Sequence, residues 1–192
     1  MAAARGENGD GYKLFLGDSV ASRMKAAGRG TAPYIVFMDA DCRVSDPAGI
    51  DVALAALATR GNVVGGLLAD GDQVHAAGYA FAVTGKPYRR FAGWPLDHPK
   101  VQQDRADLQA VPFGFLATQR DLFRHLGLTP HYAGMAWAEV DYCLRLVRAG
   151  GRVVYDPAIR VETLGSYEAK ESQQAQLLVI NAGPECDEWR LL

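Results

Sequence analysis

The chain has 192 residues, 49% of them apolar, and a formal net charge of -2. That length and apolar content fit one domain with a sizeable core, and they exclude disordered, collagen-like and disulfide-dense classes. There is no basic surplus to draw nucleic acid, so no nucleic-acid partner is expected.

The three cysteines, Cys42, Cys143 and Cys186, are far apart and show no CxxC spacing. A reducing, cytoplasmic setting is therefore expected. Cys42 and Cys143 lie in apolar surroundings and read as small core residues. The start, MAAARGENGDG, lacks an apolar signal-peptide core. No stretch approaches the ~20 apolar residues of a membrane helix, so a soluble chain without a transmembrane segment is expected.

In chain order, residues 1–11 read as a disordered tail and Lys13–Leu16 as a short strand. Asp18 or Ser19 caps a helix to about Ala27, which Gly28 and Gly30 end. Tyr34–Met38 (YIVFM) is a continuous apolar run, the pattern of a strand buried on both faces, and it ends in Asp39-Ala40-Asp41. Asp46-Pro47 opens a helix through about Thr59, and Val63–Leu68 is the next strand.

Val74–Val83 reads as a strand between turns, within a hairpin-like excursion. Gly93–Asp107 is a polar loop. Val111–Thr118 is a strand, Arg120–Leu126 a short helix, and Glu139–Ala149 an amphipathic helix stopped by Gly150-Gly151. Arg152–Tyr155 is a strand ending at Asp156-Pro157; a surface helix, Glu168–Gln176, and a last strand, Leu177–Ile180, follow. Strands alternating with helices predict an α/β fold.

Ligands of open α/β sheets bind beyond the carboxyl ends of the strands, which is where Asp39 and Asp41 fall. Two carboxylates one residue apart suit Mg2+ or Mn2+ shared with substrate phosphates. The same pattern also suits two ordinary aspartates at a strand end. Glu139 and Asp141 lie at the expected start of a helix, where a carboxylate stays ionised and serves as a general base. Both also suit plain helix charges, with Asp141 pairing Arg145 at i,i+4.

The four histidines show no HxH or HExxH spacing, so a histidine-built zinc site is not expected. Trp94 and Trp137 suit either sugar stacking or packing. Arg89-Arg90 suits a phosphate contact or a solvated pair.

Six segments in order carry a resemblance: Tyr34–Asp41 (YIVFMDAD), Val64–Phe81 (VGGLLADGDQVHAAGYAF), Lys86–Pro99 (KPYRRFAGWPLDHP), Arg120–Phe123 (RDLF), Glu139–Arg145 (EVDYCLR) and Arg148–Pro157 (RAGGRVVYDP). Together they resemble the family 2 glycosyltransferases of the GT-A fold, over roughly residues 13–165. The resemblance implies a single GT-A-like (Rossmann-like) domain: a central mixed, mostly parallel sheet flanked by helices, shortened on its N-terminal side, with residues 165–192 as a C-terminal extension.

It further implies a metal-dependent, inverting transfer of sugar from a nucleotide-diphosphate sugar to an acceptor hydroxyl. Asp39 and Asp41 match the metal-binding DxD motif, with Arg43 beside them at the donor. Glu139 matches the family's proposed base, with Asp141 in reserve. Trp94, Trp137 and Gly114 are the expected substrate contacts, and Mn2+ or Mg2+ the expected cofactor. The acceptor, a glycan, lipid or protein, is left open.

Four departures accompany the match. Only 38 residues precede Asp39, where the family has a further base-gripping strand–helix–strand unit. A shortened donor half makes a homo-oligomer plausible. Thr163 stands where the family has a histidine, often a metal ligand, with Glu162 adjacent as a substitute. Pro112-Phe113 replaces a Thr-Gly pair, with Gly114 one position late. Gly127-Leu128-Thr129 replaces a Gly-Gly-Phe-Asp turn.

Two other readings compete. One is a non-catalytic nucleotide-sugar or glycan-binding module. The other is a haloacid-dehalogenase-type phosphatase, which the Cys42-Arg43 that follow DxD argue against.

Overall fold

The computed structural model describes residues 20–83, 85–129 and 135–163. The expected tail at 1–11, the Lys13–Leu16 strand, the Glu168–Gln176 helix, the Leu177–Ile180 strand and the 165–192 extension lie outside the described residues.

Helix α1 (Val20–Arg29) leads to strand β1 (Tyr34–Phe37). A tight turn follows, closed where the Cys42 N–H donates to the Asp39 carbonyl at 3.0 Å, and β2 (Cys42–Val44) begins there. Helix α2 (Ala48–Thr59) starts where the Asp46 carboxylate accepts the Ala48 N–H at 2.9 Å. Then come β3 (Val63–Asp70), β4 (Gln73–Ala76), β5 (Tyr79–Phe81) and β6 (Pro87–Arg89). The rest is α3 (Pro99–Gln103), β7 (Ala106–Leu108), β8 (Leu116–Gln119), α4 (Arg120–Leu126), α5 (Met135–Arg148) and β9 (Val153–Thr163).

The main sheet has the order β1-β8-β3-β9-β2, with β4 also on β3 and β7 also on β9. It is mixed, as expected, but β3–β9 is the parallel pair and the other described pairs are antiparallel. The expected parallel majority does not hold. Apolar runs report burial, and antiparallel strands covered by helices on both faces produce the same runs. The Tyr34–Met38 run also overstates its burial: β1 stands at the end of the strand order, with Val36 36% and Met38 40% exposed.

Several boundaries move for local reasons. The Val74–Val83 strand breaks at Ala77-Gly78, where Gly78 has φ +78° and a Cβ would lie 2.2 Å from Leu108 Cδ1. The Gly93–Asp107 loop contains α3 and the start of β7. Of Val111–Thr118, only the part from Leu116 is strand. Strand β9 does not stop at Asp156-Pro157. Its register against β3 slips there, from Gly66↔Asp156 to Leu67↔Arg160, and the buried Asp156 carboxylate is held by Arg60 at 2.7 Å.

Alternation along the strands divides the core into layers. Val63 and Leu116 face the cluster that α1, α4 and α5 cover, built with Ala27, Phe123 and Tyr142. Val64 and Ala117 face the opposite cluster, under Ala53, Ala56 and Leu57 of α2. Each such fully buried large side chain contributes about 1.5–3 kcal/mol. Gly66 is required where β3 meets β9, because a Cβ there would lie 2.5 Å from the Ile159 carbonyl oxygen. Strands β1, β3 and β9 point the same way, so their carboxyl ends share one edge of the sheet.

Candidate functional site

At that edge lies a small, partly open cleft. Its floor is Asp39, Leu68 and Thr163, at or just beyond the ends of β1, β3 and β9, with Cys42 beside them. Its walls are His75 and Ala76 on β4, Tyr79 on β5, Arg89 on β6, and Pro112 and Gly114 ahead of β8. The β4–β6 excursion is thereby folded over the end of the sheet.

One ligand atom each from Asp39, Asp41 and Cys42 lies within 4.8 Å of the others. The Cys42 thiol donates to Asp41 Oδ1 at 3.8 Å. Burial, and then the charges of Asp39 and Asp41, push this thiol up to about 12, so it is a neutral neighbour of two carboxylates. Hard carboxylate oxygens suit Mn2+ or Mg2+, so the donor set fits such a cation. Cys42 is buried, as its apolar neighbours suggested, and it also faces the cleft.

Thr163 pairs with Cys42 in the β2–β9 register, which brings the position of the family's histidine to the same cluster. Its hydroxyl is committed to the Ala69 carbonyl at 2.9 Å. Arg43 and Glu162 pair one step along, so they project from the opposite side of the strands and bond each other at 2.5 Å on the surface. The structure does not bring Arg43, or Glu162 as a substitute ligand, to the cleft.

A residue that the sequence did not single out adds a positive charge beside the carboxylates. Arg23 of α1 is 8% exposed, its Nη2 donates to Asp39 Oδ1, and its guanidinium lies 5.1 Å from the Phe113 ring centroid. Its Nη1 is buried and finds no hydrogen-bond partner among the described residues.

Glu139 is not at the helix start. Helix α5 begins at Met135, so Glu139 sits in its second turn, 0% exposed, and does not line the cleft. Its Oε1 accepts the Tyr79 hydroxyl and its Oε2 the Phe113 N–H, both at 2.5 Å. Burial dominates and raises its pKa from 4.5 to about 8, against those two hydrogen bonds. Asp141 accepts from Thr129 at 2.7 Å and from Arg145 at 2.9 Å, the i,i+4 pair that the spacing allowed.

Gly114 lines the cleft, where a Cβ would lie 2.5 Å from Leu68 Cδ1. Trp94 is 38% exposed, with its ring against Phe91 and His98. Trp137 is 4% exposed within the α5 core cluster. The two arginines of Arg89-Arg90 separate: Arg89 lines the cleft, and Arg90 bonds Asp104 at 2.6 Å and the Ala77 carbonyl at 3.2 Å. His75 titrates below its usual range, chiefly through burial and then the Arg89 charge.

The chain matches no protein-family model and no curated protein sequence. Among solved structures it is similar to GalNAc-T7, crystallised with UDP, GalNAc and Mn2+, with a TM-score of 0.62 and 16% identity. The match covers 84% of this chain and 34% of that one, so this chain spans about a third of that neighbour's length. A197 from STIV matches with a TM-score of 0.41 and 12% identity, over 80% of this chain and 79% of that one. The likeness to GalNAc-T7 gives the fold: this is the mixed α/β GT-A fold. No helix among the described residues is long and apolar enough to cross a membrane.

Proposed function

We propose that this chain binds a nucleotide-diphosphate sugar through a divalent cation and transfers the sugar, with inversion, to an acceptor hydroxyl. The observation that carries the reading is the meeting of Asp39, Asp41 and the buried Arg23 at the end of the sheet. Two carboxylates beside a guanidinium suit a metal and a phosphate bound side by side. The UDP and Mn2+ in the GalNAc-T7 structure, and the family 2 resemblance of the sequence, support the same assignment.

Asp39 and Asp41 are the residues to hold Mn2+ or Mg2+, and the bound cation supplies charge stabilisation at the departing diphosphate. Arg23 stands behind Asp39, holds that carboxylate through its Nη2 and adds a positive charge near the diphosphate. Leu68, Pro112 and Gly114 give the cleft an apolar side against which a sugar ring packs.

A binding module without turnover is the second reading, and the burial of Glu139 behind the cleft wall favours it. Titration calorimetry with UDP- and GDP-sugars, with and without Mn2+ or Mg2+, tests the shared part of both readings. Metal-dependent binding of at least one donor is expected. Failure of every donor to bind contradicts both. Donor binding without release of nucleoside diphosphate to any acceptor or to water leaves the module.

A further inference from the structure

Glu139 matches the base position, yet no face of it reaches the cleft. What separates the two is one layer of residues. Tyr79 lines the cleft and donates its hydroxyl to Glu139 Oε1 at 2.5 Å. Pro112 and Gly114 line it on either side of Phe113, whose N–H holds Glu139 Oε2 at 2.5 Å. The Phe113 N–H cannot take up a proton, whereas a phenol hydroxyl both donates and accepts. Tyr79 is also fixed in place: its N–H donates to the Ala110 carbonyl at 2.9 Å, and it pairs with Arg89 across β5–β6.

We propose that Tyr79 is the group that meets the acceptor hydroxyl, and that it relays the acceptor's proton to Glu139. The inference rests on the transferase reading above. In the step, the acceptor O–H proton passes to Tyr79 Oη while the Tyr79 proton passes to Glu139 Oε1. The acceptor oxygen's freed electron pair forms the bond to the anomeric carbon. The bond from that carbon to the diphosphate oxygen breaks, and its pair leaves with the diphosphate. Tyr79 ends neutral and Glu139 ends protonated.

Protonated Glu139 keeps both contacts, because it then donates to Tyr79 Oη while Oε2 still accepts Phe113 N–H. The environment suits such an exchange. Besides its burial, Glu139 feels Tyr79 on β5, the Phe113 N–H, Asp39 beyond β1 and Arg23 on α1. Burial first, and then the Asp39 charge, raise the carboxyl against the Tyr79, Phe113 and Arg23 contacts, so that it takes and releases a proton near pH 8.

The test compares wild type, Tyr79→Phe and Glu139→Gln for release of UDP from UDP-N-acetylgalactosamine and UDP-glucose with Mn2+ and water as acceptor. Donor affinity is measured on the same samples by calorimetry. A relay predicts that kcat falls about 100-fold or more in both variants while donor Kd stays within about twofold. It also predicts that wild-type kcat rises with pH through a limb near about 8, since the base must be ionised, and that Tyr79→Phe abolishes the limb.

Tyr79→Phe with kcat near wild type, or with the limb intact, overturns the relay. If that variant does not fold, 3-fluorotyrosine at position 79 replaces it; the more acidic phenol must move the limb, and an unmoved limb overturns the relay. Wild type that binds no donor or releases no UDP overturns the transferase reading and the relay together. Turnover by wild type and Tyr79→Phe alike overturns the relay alone.

Discussion

The buried Glu139 makes a prediction about stability that needs no substrate. Its pKa is about 8 in the fold against 4.5 for the free group, so the folded state holds this proton more tightly than the unfolded state does. The contribution is therefore fully present below the unfolded value and is lost as pH rises through the folded one. The full shift corresponds to roughly 5 kcal/mol, of which about 3 kcal/mol falls between about pH 5 and pH 8.

Glu139→Gln removes the titration and keeps the contacts: the new amide donates to Tyr79 Oη while its oxygen accepts Phe113 N–H. Groups that titrate elsewhere cancel in the comparison. Urea unfolding of both proteins across that range should show the variant gaining about 3 kcal/mol on wild type, a melting-temperature change on the order of 10 °C. A stability difference that stays flat with pH would refute the burial of an ionisable Glu139 as described.

Three substitutions test other parts of the account. Gly66→Ala drives a Cβ to 2.5 Å from the Ile159 carbonyl oxygen, so denaturant unfolding should show a loss of about 1–3 kcal/mol; no loss contradicts the close β3–β9 approach. Arg23→Lys removes the guanidinium that holds Asp39, so UDP should bind about tenfold more weakly in calorimetry while uridine binding is unchanged. Equal weakening of both would place Arg23 away from the phosphates. Arg43→Ala should leave donor affinity unchanged, because Arg43 lies on the far side of β2 from the cleft; a marked loss would return it to the donor site.

The sequence carried part of this picture and hid part of it, for identifiable reasons. Asp39 and Asp41 were visible because an apolar run breaks abruptly at an acidic pair, a one-dimensional signal. The direction of neighbouring strands was not visible, because hydrophobicity reports burial without orientation. Strand β2 was missed because three residues, Cys42–Val44, show no periodicity. Its pairing with β9 is nonetheless what sets Cys42 beside Thr163 and turns Arg43 away.

Arg23 carried no signal, since an arginine in a polar helix reads as solvated until packing buries it against Asp39 and Phe113. Tyr79 and Glu139 lie 60 residues apart in sequence and meet through the folding of the β4–β6 excursion over the sheet edge. Glu139 was noticed by type and spacing, but its burial depended on α5 starting at Met135, a turn earlier than the apolar pattern indicated.

The central claim, a cation held by Asp39 and Asp41 against a diphosphate, is tested most directly by phosphorus NMR of UDP with the protein and Mn2+. The paramagnetic ion broadens both phosphorus signals only when it is bound beside them. The account predicts strong, protein-dependent broadening with wild type, and much weaker broadening with Asp41→Asn at the same UDP and Mn2+ concentrations. Broadening that is equal in the two proteins, or no greater than with UDP and Mn2+ alone, would contradict it.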